Sequence, residues 1–228
     1  MKCLILAGGF GTRLYPVTID RAKALLEYKG RPLITHIVQK IPQDIDIMVS
    51  CNRKFEHDFY RWRDVINREI DICVEEVWID EQKKGAIGSL NFWIKSRNIS
   101  EDLLVIASDN YFEFDITQFI DAYNGTNALV AVYDIADKSK ATNFGVVRLN
   151  KDRIIELDEK PARPKSSLIA TAIYILPPRI FPLLSGYCSE GNRDNLGSFI
   201  AYLVDKDRVN AYAFTELWVD VGSRDELV

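Results

Sequence analysis

Through the first 125 residues, short apolar runs alternate with stretches in which apolar positions recur every three or four residues. Residues 4–7 (Leu4, Ile5, Leu6, Ala7) form a continuous apolar run, read as a buried strand. Residues 32–41 set Leu33, Ile34, Ile37, Val38 and Ile41 on one stripe behind a leading proline, which predicts a helix. Residues 44–50 alternate and then turn apolar, as a strand does. Residues 53–70 read as a charged helix with Phe59, Trp62, Val65 and Ile66 on its buried side, and 72–79 as a third strand. Gly85 and Gly88 open the next helix, over 81–95, whose stripe is Leu90, Trp93 and Ile94. Residues 103–107 are wholly apolar, a strand, and 115–123 form an amphipathic helix with Asp115 as its cap and Gln118 three residues on.

Beyond residue 125 the period changes. Residues 127–133 read as a strand, and 143–149 with 153–157 as a hairpin across the turn 150–152. A buried strand over 167–176 is stopped by Pro177 and Pro178, which start a helix through residue 184. Residues 186–194 read as loop, 195–204 as helix and 209–214 as strand. These elements predict an α/β architecture: a mainly parallel, mixed central sheet flanked by helices, with a mixed β/α second half. A single domain over 1–228 is expected, with halves 1–125 and 126–228.

Composition narrows the partners. The 228 residues are 47% hydrophobic and 27% charged, with a net charge of −4, and no basic stripe of the kind a nucleic-acid binder carries. Cys3, Cys51, Cys73 and Cys188 are scattered, the first three inside apolar runs, and read as buried reduced thiols. His36 and His57 are the only histidines, so a zinc site is not expected. The short run after Met1 lacks the form of a signal peptide, and no apolar run is long enough for a membrane span. A soluble cytoplasmic protein is expected. Apolar stretches carrying Trp and Tyr leave homo-oligomerisation open.

Candidate chemistry starts where the first strand ends. Gly8, Gly9, Phe10, Gly11, Thr12 and Arg13 follow Leu6 and Ala7 directly. Glycines there let backbone amides converge on an anion, and Arg13 adds a cationic fork suited to phosphate. Lys23 can supply a second cation. The dinucleotide fingerprint is excluded, because Leu14 stands where its third glycine belongs, and the Walker sequence is absent. The helix opened by Gly85 and Gly88 presents an amide-rich end, and Gln82 beside it has both donor and acceptor for a base edge. Asp109 follows an apolar strand, where ligands of open α/β sheets lie, and is a candidate Mg²⁺ ligand.

The run LAGGFGTRL, followed by RAKALL and GRPL, resembles the signature of the sugar-1-phosphate nucleotidyltransferases. That family includes glucose-1-phosphate thymidylyl- and uridylyltransferases and mannose-1-phosphate guanylyltransferases. Ala22 and Ala24 replace two usual prolines. The resemblance implies a Rossmann-like nucleotidyltransferase fold, with 1–125 binding nucleotide and 126–228 binding sugar phosphate. It continues through Ser108-Asp109-Asn110, where Ser replaces a usual Gly, to Phe144-Gly145-Val146-Val147 and Glu159-Lys160-Pro161. Thr171-Ala172-Ile173-Tyr174 has Ala where the family often has Gly, and Trp218-Val219-Asp220-Val221-Gly222-Ser223 follows.

The implied roles are these. Arg13 and the amides of the loop (Leu6, Ala7, Gly8, Gly9, Gly11, Thr12) would hold the β- and γ-phosphates. Lys23 would stabilise charge at the α-phosphate, and Gln82, Gly85 and Gly88 would lie beside the base. Asn110, Gly145, Glu159, Lys160 and Thr171 would meet the sugar phosphate. Asp109 and Asp220 would bind Mg²⁺, and Ser223 would cap a closing helix. The implied substrates are an NTP and a sugar 1-phosphate, and the implied chain is a catalytic domain lacking the extra domain of longer members. Asn110 after Asp109 is similar to the thymidylyl- and uridylyltransferase branch. A non-sugar acceptor such as phosphocholine or inositol phosphate, or a silent regulatory subunit of the same fold, stays open at this point, as do the base and the sugar.

Overall fold

Alternation within strand β1 (Lys2–Leu6) sends Cys3 and Ile5 to one face of a sheet and Leu4 and Leu6 to the other. Two cores therefore form, one on each face. The structure is a computed structural model and describes residues 1–222; the expected cap at Ser223 lies outside them. After β1 come the short strands β2 (Glu27–Tyr28) and β3 (Arg31–Pro32), α1 (Leu33–Lys40), β4 (Asp46–Asn52), α2 (Glu56–Asp64), β5 (Ile70–Glu75) and α3 (Ala86–Ser96). Then follow β6 (Leu103–Ala107), β7 (Asn110–Phe112), α4 (Ile116–Asp121), β8 (Ala128–Asp134), β9 (Gly145–Asn150) and β10 (Arg153–Glu159). The last described elements are β11 (Leu168–Leu176), α5 (Phe181–Ser189), α6 (Leu196–Lys206), β12 (Val209–Phe214) and β13 (Trp218–Asp220).

Nine strands make one sheet in the order β5-β4-β1-β6-β11-β8-β12-β10-β9. Its first four strands are parallel, and β11 joins them antiparallel to β6. Strands β7 and β13 form a separate antiparallel pair that sets Asp220 opposite Asn110. The core on one face gathers Ile34, Ile37, Phe59, Trp62 and Phe119 from α1, α2 and α4. The other gathers Leu90, Trp93, Leu184, Phe199 and Leu203 from α3, α5 and α6. Each such side chain contributes about 1.5–3 kcal/mol on burial. Asp115 caps α4 through the Thr117 amide at 2.8 Å, as its position predicts.

Several elements differ from the pattern-based expectation, and α3 starts at Ala86 rather than at residue 81, after a separate short turn over Asp80–Gln82. The charged helix ends at Asp64 rather than running to residue 70. Arg68 explains the break: its guanidinium donates to the carbonyls of Val38, Ile41, Pro42 and Ile45, drawing its segment to the end of α1 and leaving Val65 exposed. Strand β5 stops at Glu75, short of residue 79. Helix α5 runs to Ser189, through part of the segment read as loop, because Leu184 and Cys188 continue its buried stripe.

The four cysteines are free and buried. Burial pushes the Cys3 and Cys51 thiols up to about 12 and that of Cys73 to about 11, so all three stay protonated near neutral pH. No helix among the described residues is long and apolar enough to cross a membrane.

Candidate active site

The carboxyl ends of β1, β4, β5 and β6 open on one cleft, the expected ligand position for parallel strands. This first cavity, about 380 Å³, is lined by Leu6, Gly8, Gly9, Gly11, Thr12, Arg13, Lys23, Gly85 and Asp109, among others. A second cavity of about 550 Å³ is lined by Asn110, Gly145, Glu159, Lys160, Thr171 and Asp220. Arg13, Ala86, Ala107, Asp109, Asp194 and Leu196 line both, so the cavities meet along that seam.

The glycine loop is built to receive an anion. Among the described residues, the amides of Gly8, Gly9, Gly11 and Thr12 have no protein acceptor. Gly11 has φ +62°, and a Cβ there would crowd Thr18 and Lys23 at 3.1–3.3 Å. The buried Thr18 hydroxyl donates to the Gly11 carbonyl at 2.7 Å and fixes the loop from below. Ala7 does not line the cavity: it is buried and its amide donates to the Ser50 carbonyl at 2.8 Å.

At the seam, Lys23 Nζ lies 3.0 Å from Asp109 Oδ2. The β7–β13 pair brings Asp220 to the same place, and the Val221 amide donates to the Asp109 carbonyl at 2.9 Å. Asp109 and Asp220 both line the second cavity. Among the described residues, no group of three or more His, Cys, Asp or Glu side chains is arranged to hold a metal. Two carboxylates still fit Mg²⁺ carried on a polyphosphate, because that ion takes one or two protein carboxylates and completes its shell with phosphate and water. Ser108 has no positive φ, which explains why it can stand in a glycine's place.

In the second cavity Glu159 is a carboxylate held in place by its neighbours. Asn195 Nδ2 donates to its Oε1 at 2.7 Å. Gly145 and Gly197 make room for its other oxygen: a Cβ at Gly145 would come within 2.9 Å of Oε2, and one at Gly197 would overlap it. Burial raises the carboxyl's pKa, opposed by Asn195 and Lys160. Lys160 is exposed at the rim with φ 48°, and Ala172 also lies in the left-handed region at φ 59°, beside an irregularity in β11. Such non-glycine residues are costly and concentrate at functional sites. Gly197→Ala is expected to favour α6 by about 0.5–1 kcal/mol while displacing the Glu159 carboxylate. Thermal denaturation would show an unchanged or raised Tm, and titration a loss of about tenfold in affinity for a ligand of the second cavity.

Several residues singled out in the sequence have other duties. Gln82 is exposed and outside the cavity, its Oε1 accepting from the Trp78 amide at 3.0 Å, because a short turn folds it back on the loop. Gly88 also lies off the lining, and the amide-rich start of α3 is already occupied. The Ala86 amide donates to the Asp194 carbonyl and the Gly88 amide to that of Arg193, each at 3.0 Å. Asn110 is buried between Ala107 and Trp218: its Nδ2 donates to the Ala107 carbonyl at 2.9 Å and its Oδ1 accepts from Trp218 Nε1 at 2.6 Å. It therefore ties β13 to the acid loop. The Thr171 hydroxyl donates to the Ala131 carbonyl at 2.9 Å.

Sequence reading missed Ser50, Asn52, Glu75 and Ser89 in the first cavity, and Asp194, Asn195 and Gly197 around the second. Glu75 ends β5. The sequence pattern carries this strand on to residue 79, so the strand-end rule that selects Asp109 does not reach Glu75.

A family model described as "Nucleotidyl transferase" matches residues 2–228, and the chain belongs to that family. It is 28% identical to a provisionally named mannose-1-phosphate guanyltransferase of Sulfolobus acidocaldarius, over 97% of this chain and 60% of that protein. It is 30% identical to the bifunctional protein GlmU of Methanocaldococcus jannaschii, over 97% of this chain and 51% of the relative. The chain thus spans about half to three fifths of the length of these curated relatives. A crystal structure of a provisionally named glucose-1-phosphate thymidylyltransferase from Bacillus anthracis, in complex with a sucrose, superposes with a TM-score of 0.86. That pair is 27% identical and covers 100% of this chain and 92% of the other. The mixed α/β architecture expected from the sequence is the one these nucleotidyltransferases share.

Proposed function

We propose that the protein joins an NTP and a sugar 1-phosphate into a nucleotide sugar, releasing pyrophosphate. The observation that carries this reading is the meeting of two differently equipped cavities at Arg13 and Asp109, with Lys23 of the first cavity paired to Asp109. One has unpaired amides and cations for a polyphosphate. The other has a held carboxylate, Glu159, for hydroxyls and Lys160 for a phosphate. The relatives' names, a mannose-1-phosphate guanyltransferase and a glucose-1-phosphate thymidylyltransferase, agree with that pairing.

In the reaction, a phosphate oxygen of the sugar phosphate attacks the α-phosphorus. The bond from that phosphorus to the α–β bridging oxygen breaks, and pyrophosphate leaves with the electron pair. The nucleophile is already an anion, so no activated Ser or Cys is needed. The chain contributes position and charge. Loop amides and Arg13 hold the β- and γ-phosphates, Lys23 faces the α-phosphate, and Lys160 holds the incoming phosphate. Asp109 and Asp220 would hold Mg²⁺, which supplies charge neutralisation on the phosphates. A cytoplasmic setting belongs to the same reading, supported by the four free thiols.

The test is pyrophosphate release across a grid of NTPs and sugar 1-phosphates, with Mg²⁺ and with excess EDTA. Release that needs one sugar phosphate and falls to background in EDTA is expected. Release with phosphocholine or inositol phosphate alone would overturn the sugar assignment. Metal-independent turnover would overturn the role of the two acids.

A further inference from the structure

The first cavity is lined by groups of opposite character. The open amides, Arg13 and Lys23 suit an anion, whereas Glu75 at the end of β5, with Ser50 and Ser89, is a carboxylate on the same wall. A phosphate has no reason to approach a carboxylate, so on the reading above the part of the cavity at Glu75 receives the neutral base.

Glu75 is only 5% exposed. Its Oε1 accepts from the Ser50 hydroxyl at 2.9 Å and from Trp93 Nε1 at 3.2 Å, two donors that orient the carboxylate. Its Oε2 has no hydrogen-bond partner among the described residues. No fully buried side-chain oxygen among them lacks a partner, so Oε2 faces the cavity rather than the packed core. A buried carboxylate is an acceptor only, and it requires donors.

The bases differ in what they can offer it. Guanine alone presents two adjacent donors, N1–H and N2–H, on its pairing edge. Uracil and thymine have one N–H flanked by two carbonyl oxygens, which a carboxylate repels. Adenine and cytosine pair an amine with a ring nitrogen that is itself an acceptor. We infer that Glu75 selects guanine, and that the nucleotide this site takes is a guanosine triphosphate. This inference rests on the proposed reaction for the placement of the phosphates, and on the Glu75 geometry for the base.

Titration calorimetry of GTP, UTP, dTTP, CTP and ATP, with Mg²⁺, tests it without requiring turnover. The wild-type protein is expected to bind GTP at least about tenfold more tightly than the others, since a buried charge-assisted hydrogen bond carries that difference. Glu75→Gln keeps an oxygen for Ser50 and Trp93 but turns an NH₂ toward the guanine donors. It is expected to weaken GTP by about 10- to 100-fold and to improve UTP, with an unchanged circular dichroism spectrum. Tighter wild-type binding of UTP or dTTP would overturn the assignment, and needs no variant. Unchanged GTP affinity in folded Glu75→Gln would overturn it as well. A guanine preference in binding with no pyrophosphate release from any sugar phosphate would support the base assignment and sink the reaction instead.

Discussion

Lys23→Ala is expected to fold normally and to lose about 10²- to 10³-fold in kcat, the usual scale for removing one group that meets charge developing in a transition state. Lys23 is nearly enclosed, with its side chain 12% exposed, and its ammonium lies at the seam between the cavities. Its partner Asp109 is 36% exposed, so the carboxylate left behind regains water. The stability loss should stay near 1 kcal/mol or below, as for partly exposed ion pairs. Single-turnover kinetics and a melting curve on the same preparation separate the two effects. Near-normal turnover would show that the α-phosphate is neutralised by another group. A large fall in Tm would make the ion pair a structural device. Lys23→Arg should not rescue fully, because a planar fork does not replace a compact ammonium in so enclosed a position.

The second large effect is on stability. Gly85→Ala should cost about 3 kcal/mol and lower the Tm by about 6–12 °C. Gly85 has φ +77°, which strains any L side chain. A Cβ there would also overlap the Arg193 carbonyl, which is backbone and has no rotamer to yield. Gly125→Ala is the control, because Gly125 has φ +73° with nothing within 4 Å of an added Cβ. It should cost only about 1–2 kcal/mol. Similar losses in the two variants would mean that the contact with Arg193 is dispensable. Gly85→Ala should also weaken nucleotide binding, since Asp194, next to Arg193, lines both cavities.

The phosphate loop was legible because its information is local. An apolar strand, adjacent glycines and Arg13 lie within ten residues of one another, and the strand and helix periods after them mark the alternating elements. Asp109 could be singled out by the same logic, since it follows an apolar run, whereas Asp220, two residues before Gly222, was singled out through the resemblance of its motif. What escaped depended on partners distant in sequence. Residues 85–88 read as a start of free amides, yet the carbonyls of Arg193 and Asp194 occupy two of them. Asn110 and Thr171 read as ligands, but each side chain is held by groups elsewhere in the fold, Trp218 and Ala131 among them. Gln82 had the right functional group, and its local turn points it at Trp78. Glu75 was passed over because the sequence pattern carries its strand on to residue 79, which hides its place at the carboxyl end. Only the neighbouring Ser50 and Trp93 reveal it as buried. Periodicity encodes which face is inward; it does not encode who waits there.

The small β7–β13 pair has a consequence for the timing of assembly. Every strand of the nine-stranded sheet is in the chain by Phe214, whereas Asp220 reaches Asp109 only through strand Trp218–Asp220. During translation, a nascent chain emerged as far as Phe214 can complete its main sheet and still lack the acid pair.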